Sequence, residues 1–134
     1  MSACVLDTDA VIAALDRRDV HHATAAEAVR ELQAAESELL LSTINYAEAL
    51  VRPAEDARTL RVATDAIASL GIRIVSPDAS LAREAARIRG QGVSLADGFA
   101  LATAKAHRAT IASFDKRVRR VLPALELRLC EQLA

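Results

Sequence analysis

The sequence predicts an α/β fold, a three-layer sandwich with a short-stranded parallel central sheet and helices on both faces. Three observations predict it. Brief apolar runs alternate with longer alanine-rich stretches whose apolar residues recur at helical spacing, and strands that alternate with helices require crossover connections and a covered parallel sheet. At 52% hydrophobic and 26% charged residues the chain is too apolar to stay disordered. Its 134 residues are the size of one folding unit, here 1–134.

Taken in chain order, the run Ala3–Leu6 reads as a buried strand that ends at Asp7. A helix follows over 23–36 and a strand over 39–41. The next helix begins near Ser42 or Thr43, and its inward stripe at i, i+3, i+4, i+7 spacing is Ile44, Ala47, Glu48 and Val51. Helical spacing over 54–70 stops at Gly71, and Ile72–Val75 is a strand. Ser76 then serves as a cap with Pro77 at the first helical position, for a helix read over 80–89 and stopped by Gly90 and Gly92. Ser94, Leu95, Ala96, Asp97 form a capping box. The helix it opens has the core stripe Leu95, Gly98, Phe99, Ala102 and Ala106, which leaves Asp97 off the apolar face in the first turn. Thr110–Ala112 and 125–129 read as the last two strands.

Ligands of open parallel sheets bind outside the carboxyl ends of the strands. Asp7 directly follows the first strand, and Asp115 follows the Thr110–Ala112 strand after only Ser113 and Phe114. Either Asp alone is an ordinary helix cap. Glu48 is harder to explain in that way, because a carboxylate on a core stripe needs a cation or donors to compensate it. With Asp97 early in its helix, four acids can converge on one sheet edge. An oxygen-only donor set selects a hard cation such as Mg²⁺ or Mn²⁺. His21 and His22 are adjacent and diverge, and His107 stands alone, so zinc is not expected.

Composition narrows the partners. Aromatic residues make up 2% of the chain, namely Tyr46, Phe99 and Phe114, which excludes a platform for stacking successive bases. The formal net charge of −1 hides an asymmetry: residues 1–104 carry ten Lys and Arg against 15 Asp and Glu, and residues 105–134 carry seven against three. An acidic body with a basic last quarter suits a polyanion held beside a cation site. Cys4 and Cys130 are too few for a disulfide scaffold and read as reduced, buried small hydrophobes. No leader precedes the first strand and no apolar run reaches the roughly 20 residues of a membrane span, so the expected compartment is the cytoplasm, with no membrane partner.

These residues resemble the PIN-domain nucleases, and among them the compact toxin ribonucleases of VapBC toxin–antitoxin pairs. The resemblance covers the whole chain. It rests on Leu6, Asp7, Thr8 at the end of an opening strand; Tyr46, Ala47, Glu48; Leu95, Ala96, Asp97 followed by Ala100, Leu101, Ala102; and Ser113, Phe114, Asp115. The order and spacing carry it together, since none of these motifs is specific alone. It implies a PIN-like sandwich whose acidic, metal-binding and catalytic set is Asp7, Glu48, Asp97 and Asp115, with Ser113 as the small hydroxyl residue before the last acid. Asp9, where the family often has Ser or Asn, is a possible fifth carboxylate, and Gly98 stands where a larger helix former is usual.

The resemblance implies Mg²⁺- or Mn²⁺-assisted hydrolysis of phosphodiester bonds in structured RNA, tRNA in many cases. Lys105, Lys116, Arg117, Arg119 and Arg120 are placed to hold phosphates. It also implies a VapB-type antitoxin whose tail occupies the acidic groove, and a homodimer. Three other readings stand beside it. A phosphatase of the haloacid-dehalogenase type would use Asp7 as nucleophile and Asp9 as acid/base, but the chain lacks the later Gly-Asp-x-x-x-Asp of that type. A receiver-like domain would need an aspartate at a central strand end between Leu39 and Val75. A non-catalytic module would use an acidic groove only to hold a basic peptide.

Overall fold

Four parallel strands in the order β3-β2-β1-β4 form the centre of the computed structural model, which describes residues 2–134. The elements are β1 (Ala3–Leu6), α1 (Thr8–Leu15), α2 (His22–Ala34), β2 (Glu38–Ser42), α3 (Thr43–Ala49), α4 (Ala57–Ser69), β3 (Ile72–Val75), α5 (Ala79–Arg89), α6 (Leu95–His107), β4 (Thr110–Ala112) and α7 (Lys116–Val121). Side chains alternate across the strands. Cys4, Leu6, Leu39, Leu41 and Ala112 face a core built with α1, α2 and α4, whereas Val5, Leu40 and Ile111 face a second core built with α5, α6 and α7. This is the predicted α/β sandwich of three layers. Among the described residues no helix is long and apolar enough to cross a membrane.

The chain steps outward from β1 to β2 to β3 and then returns across the sheet to place β4 on the other side of β1. The strand order therefore reverses between β1 and β4, and the crevice at their carboxyl ends is the site such a topology offers to ligands. Asp7 and Ser113 leave the sheet there, just past the hydrogen bond from Asp7 N to Ala112 O at 2.9 Å.

Several expected elements differ. The 125–129 strand does not form: Pro123–Leu125 is a 3₁₀ turn, Glu126 adopts a left-handed φ of 57°, and only Leu129 makes a single parallel bridge to Ile111. A proline without an N–H and a left-handed residue leave too little extended chain for a ladder. The helix expected over 54–70 is interrupted, because Pro53–Glu55 is a separate 3₁₀ turn and Asp56 caps α4 through Thr59 N at 3.0 Å. Asp78, not Ser76, caps α5, accepting from Leu81 N at 2.9 Å, and Pro77 lies outside the helix.

Two helix faces also differ from expectation. In α3 the buried residues are Asn45 and Ala49, while Ile44 is 36% exposed, Val51, just beyond α3, is 64% exposed, and Glu48 is exposed. Glu48 is thus not a core residue; the inward face of α3 is set by Asn45. In α6 every residue from Ala96 to Ala104 except the half-buried Phe99 is buried, Leu95 is 48% exposed, Ala106 is exposed, and Asp97 is only 8% exposed. The cause is close packing against α5, since a Cβ added at Gly98 would lie 2.5 Å from Ala85 O.

Candidate active site

Asp7 caps α1 with Oδ1, which accepts from Thr8 N at 2.9 Å, and its Oδ2 accepts from Ser113 Oγ at 2.8 Å. The Ser113 hydroxyl in turn accepts from Asp115 N at 3.2 Å, so one fully buried serine ties the β1 acid to the β4 acid. Asp9, one residue into the first turn of α1, accepts from Phe114 N at 3.1 Å through Oδ2, while its buried Oδ1 has no hydrogen-bond partner. Asp97 closes the capping box of α6, with Asp97 N donating to Ser94 Oγ at 3.1 Å and Ser94 N to Asp97 Oδ2 at 3.3 Å. Asp115 caps α7 by accepting from Arg117 N at 2.8 Å, and the Arg117 guanidinium reaches its Oδ2 at 3.2 Å.

The structure brings these side chains to one open cleft, lined by Asp7, Thr8, Asp9, Ile12, Glu48, Ser94, Asp97, Asp115 and Arg117. Local rules place three of the acids: Asp7 and Asp115 satisfy the first-turn N–H groups of helices that follow strands, and Asp97 is the third residue of α6, inside the box that Ser94 caps. Asp7, Asp97 and Asp115 are therefore caps and cleft residues at once. Glu48 reaches the cleft from the exposed side of α3.

Like charges gathered at low exposure repel. Burial, then the charges of Asp9 and Asp97, push the Asp7 carboxyl up to about 8 against the pull of its two hydrogen bonds. Burial does the same to Asp9, pushed up to about 6, with Asp115 and Asp97 adding to it and the Phe114 hydrogen bond opposing. Asp115 behaves differently: burial raises its pKa, but the Arg117 guanidinium and backbone hydrogen bonds prevail and hold it below the usual carboxylate range. Arg117 is the cleft's own counter-charge.

Among the described residues no three His, Cys, Asp or Glu side chains already stand close enough about one point to hold a metal. The residues nevertheless fit a hard divalent cation in chemistry: the donors are oxygens, two acids are held above their usual range, and Asp9 Oδ1 is a buried acceptor without a donor.

The cationic residues are dispersed. Of Lys105, Lys116, Arg117, Arg119 and Arg120, only Arg117 lines the cleft. Arg119 donates from Nε to Ser113 O at 2.8 Å and lies 5.9 Å from the Phe114 ring centroid, so it braces the loop that carries Asp115. Lys116 and Arg120 are exposed on α7. Lys105 sits in the last turn of α6, eight residues or about 12 Å from Asp97 along the helix, 3.9 Å from Glu84. Not expected from the sequence were the Asn45 bond to Thr8 and the His21 ring stacked 4.2 Å from Phe114. Only Asn45, a polar residue one turn before Glu48, left a signal that could have been read.

A family model described as "PIN domain" matches residues 4–122. No curated protein matches the sequence. Solved structures do match it. FitAcB from Neisseria gonorrhoeae is 23% identical, with 97% of this chain and 98% of that chain covered and a TM-score of 0.69. VapBC2 from Rickettsia felis, bound to a promoter DNA fragment, is 17% identical over 95% and 96% of the two chains, TM-score 0.74. Mycobacterium tuberculosis VapC20, a toxin that cleaves the sarcin–ricin loop, is 17% identical over 88% and 94%, TM-score 0.70. At these identities the likeness is one of fold.

Proposed function

The chain belongs to the PIN domain family, and from that premise we propose that it is a divalent-metal-dependent endoribonuclease, the toxin of a toxin–antitoxin pair. The observation that carries the reading is the gathering of Asp7, Asp9, Glu48, Asp97 and Asp115 at the crevice where the strand order reverses. The family match over 4–122 sets aside the haloacid-dehalogenase and receiver-like readings.

Asp7, Glu48, Asp97 and Asp115 would hold Mg²⁺ or Mn²⁺, with Asp9 as a further oxygen donor. The ion, when bound, supplies charge for a phosphodiester oxygen and for an attacking water. The chain's own residues do the rest. Ser113 fixes the orientation of Asp7 and the backbone of Asp115, and the capping box fixes Asp97. Arg117, at the rim beside Asp115, is the group that meets a substrate phosphate, and Lys116 and Arg120 on the same helix extend that contact along the strand. Recognition then rests on backbone charge and RNA shape, which suits folded RNA such as tRNA.

The partners follow from the same chemistry. An acidic cleft flanked by the exposed apolar residues Ile12 and Leu95 suits the basic, partly disordered tail of a VapB-type antitoxin. The exposed Val62 of α4 and Ile74 of the edge strand β3 suit a homodimer. The test is induced expression in a bacterial cytoplasm followed by mapping of new RNA 5′ ends. Cuts at defined positions in folded RNA, suppressed by co-expression of the neighbouring antitoxin, are expected. Growth arrest without new RNA ends would overturn the nuclease reading.

A further inference from the structure

Asn45 is completely buried, so contact with solvent does not explain a polar residue there. Its Nδ2 donates to Thr8 Oγ1 at 3.0 Å and to Ala96 O at 3.1 Å. Thr8 follows Asp7, Ala96 precedes Asp97, and Asn45 itself stands three residues before Glu48 on α3. One amide therefore touches all three helices that bring Asp7, Asp9, Glu48 and Asp97 to the cleft. Because Ala96 O can only accept, the amide orientation is fixed by chemistry, and a carboxylate of the same shape, having no N–H, could not bond Ala96 O.

Asn45 Oδ1 is buried without a partner, and such a group carries a desolvation penalty that an apolar side chain of similar volume would not. The amide offsets this by holding separate elements in one register. By donating to Thr8 Oγ1 it also leaves the Thr8 hydroxyl its own proton to donate, and Thr8 lines the cleft.

We infer that Asn45 is a positioning residue that sets the spacing of Asp7, Glu48 and Asp97 for cation binding by tying α1 and α6 to α3. The inference rests on the metal reading of the cleft. Groups that orient metal ligands typically change metal affinity about 10- to 100-fold when removed. Asn45→Leu in the full chain should therefore melt close to wild type in chelator, bind Mn²⁺ about tenfold or more weakly by titration calorimetry, and lose kcat on folded RNA while KM stays within about threefold. Thr8→Val cuts one of the two bonds and leaves Asn45 in place, so it should weaken Mn²⁺ binding in the same direction even if Asn45→Leu fails to fold. The double variant should bind Mn²⁺ no worse than Asn45→Leu alone. Wild-type Mn²⁺ affinity in Thr8→Val and in Asn45→Leu would overturn the inference alone. Absence of Mn²⁺ binding by wild type would overturn the metal reading itself, and the inference with it.

Discussion

Asp7 both supports the fold and strains it. Its two hydrogen bonds start α1 and join β1 to the β4 loop, while burial beside Asp9 and Asp97 raises its pKa from the usual 3.8 to about 8. A carboxyl raised on folding holds a proton that the unfolded chain has already released. Its contribution to stability is full below the unfolded value and is lost as pH rises through the folded one. Asp9, at about 6, acts in the same direction. In chelator the melting temperature should thus fall between about pH 4 and 8, and in Asp7→Asn, which keeps the shape without the charge, the slope should flatten and the protein should melt higher at pH 8. Melts across that pH range check both; a wild-type curve that rises with pH would contradict the assigned burial. The acids also act as a unit. Neutral amides placed singly at Asp7, Glu48, Asp97 or Asp115 should each lower activity by roughly 100-fold or more, with the pairs far from additive, in single-turnover cleavage assays.

At the scale of elements, α6 decides where Asp97 lies, and α6 is placed by its crossing with α5. Gly98 permits that crossing. Gly98→Ala gains up to about 1 kcal/mol of helix propensity but overpacks a backbone contact, a change that usually costs about 1–3 kcal/mol. The net effect should be a melting temperature lower by about 3 to 8 °C, with Mn²⁺ binding weakened because Asp97 moves with the helix. A variant as stable as wild type would mean that α5 shifts freely. This contact explains what the sequence could and could not reveal. The four strands and the caps at Asp7, Ser94 and Asp115 were legible because they depend on neighbours in the chain. The buried side of Asp97 and the inward face of α3 were not, since α5 and the Asn45 amide fix them from 13 to 51 residues away. The 125–129 run was apolar enough for a strand, but Pro123 and the left-handed Glu126 leave it one bridge.

For the whole molecule, the sheet order places the start of the basic α7, through Arg117, beside the acids of the cleft, and this juxtaposition predicts how RNA binds. If Arg117, Lys116 and Arg120 hold phosphates as proposed, affinity for folded RNA should fall steeply with salt, and Lys116→Ala with Arg120→Ala should reduce the slope of log K against log salt by about two. The cleft was legible as a set of acids in the right order; its internal counter-charge, the Arg117 pair with Asp115, was not, because a surface guanidinium has many places to go. In the proposed function these acids cut RNA through a bound divalent cation. Its most direct measurement is the cleavage of total folded RNA by the purified chain in Mn²⁺ and in chelator, beside an Asp97→Asn protein whose melt matches wild type. Wild type should make discrete cuts in Mn²⁺ and none in chelator, and Asp97→Asn should cut at least about 100-fold more slowly. Undiminished cutting in chelator, or full activity of Asp97→Asn, would contradict it.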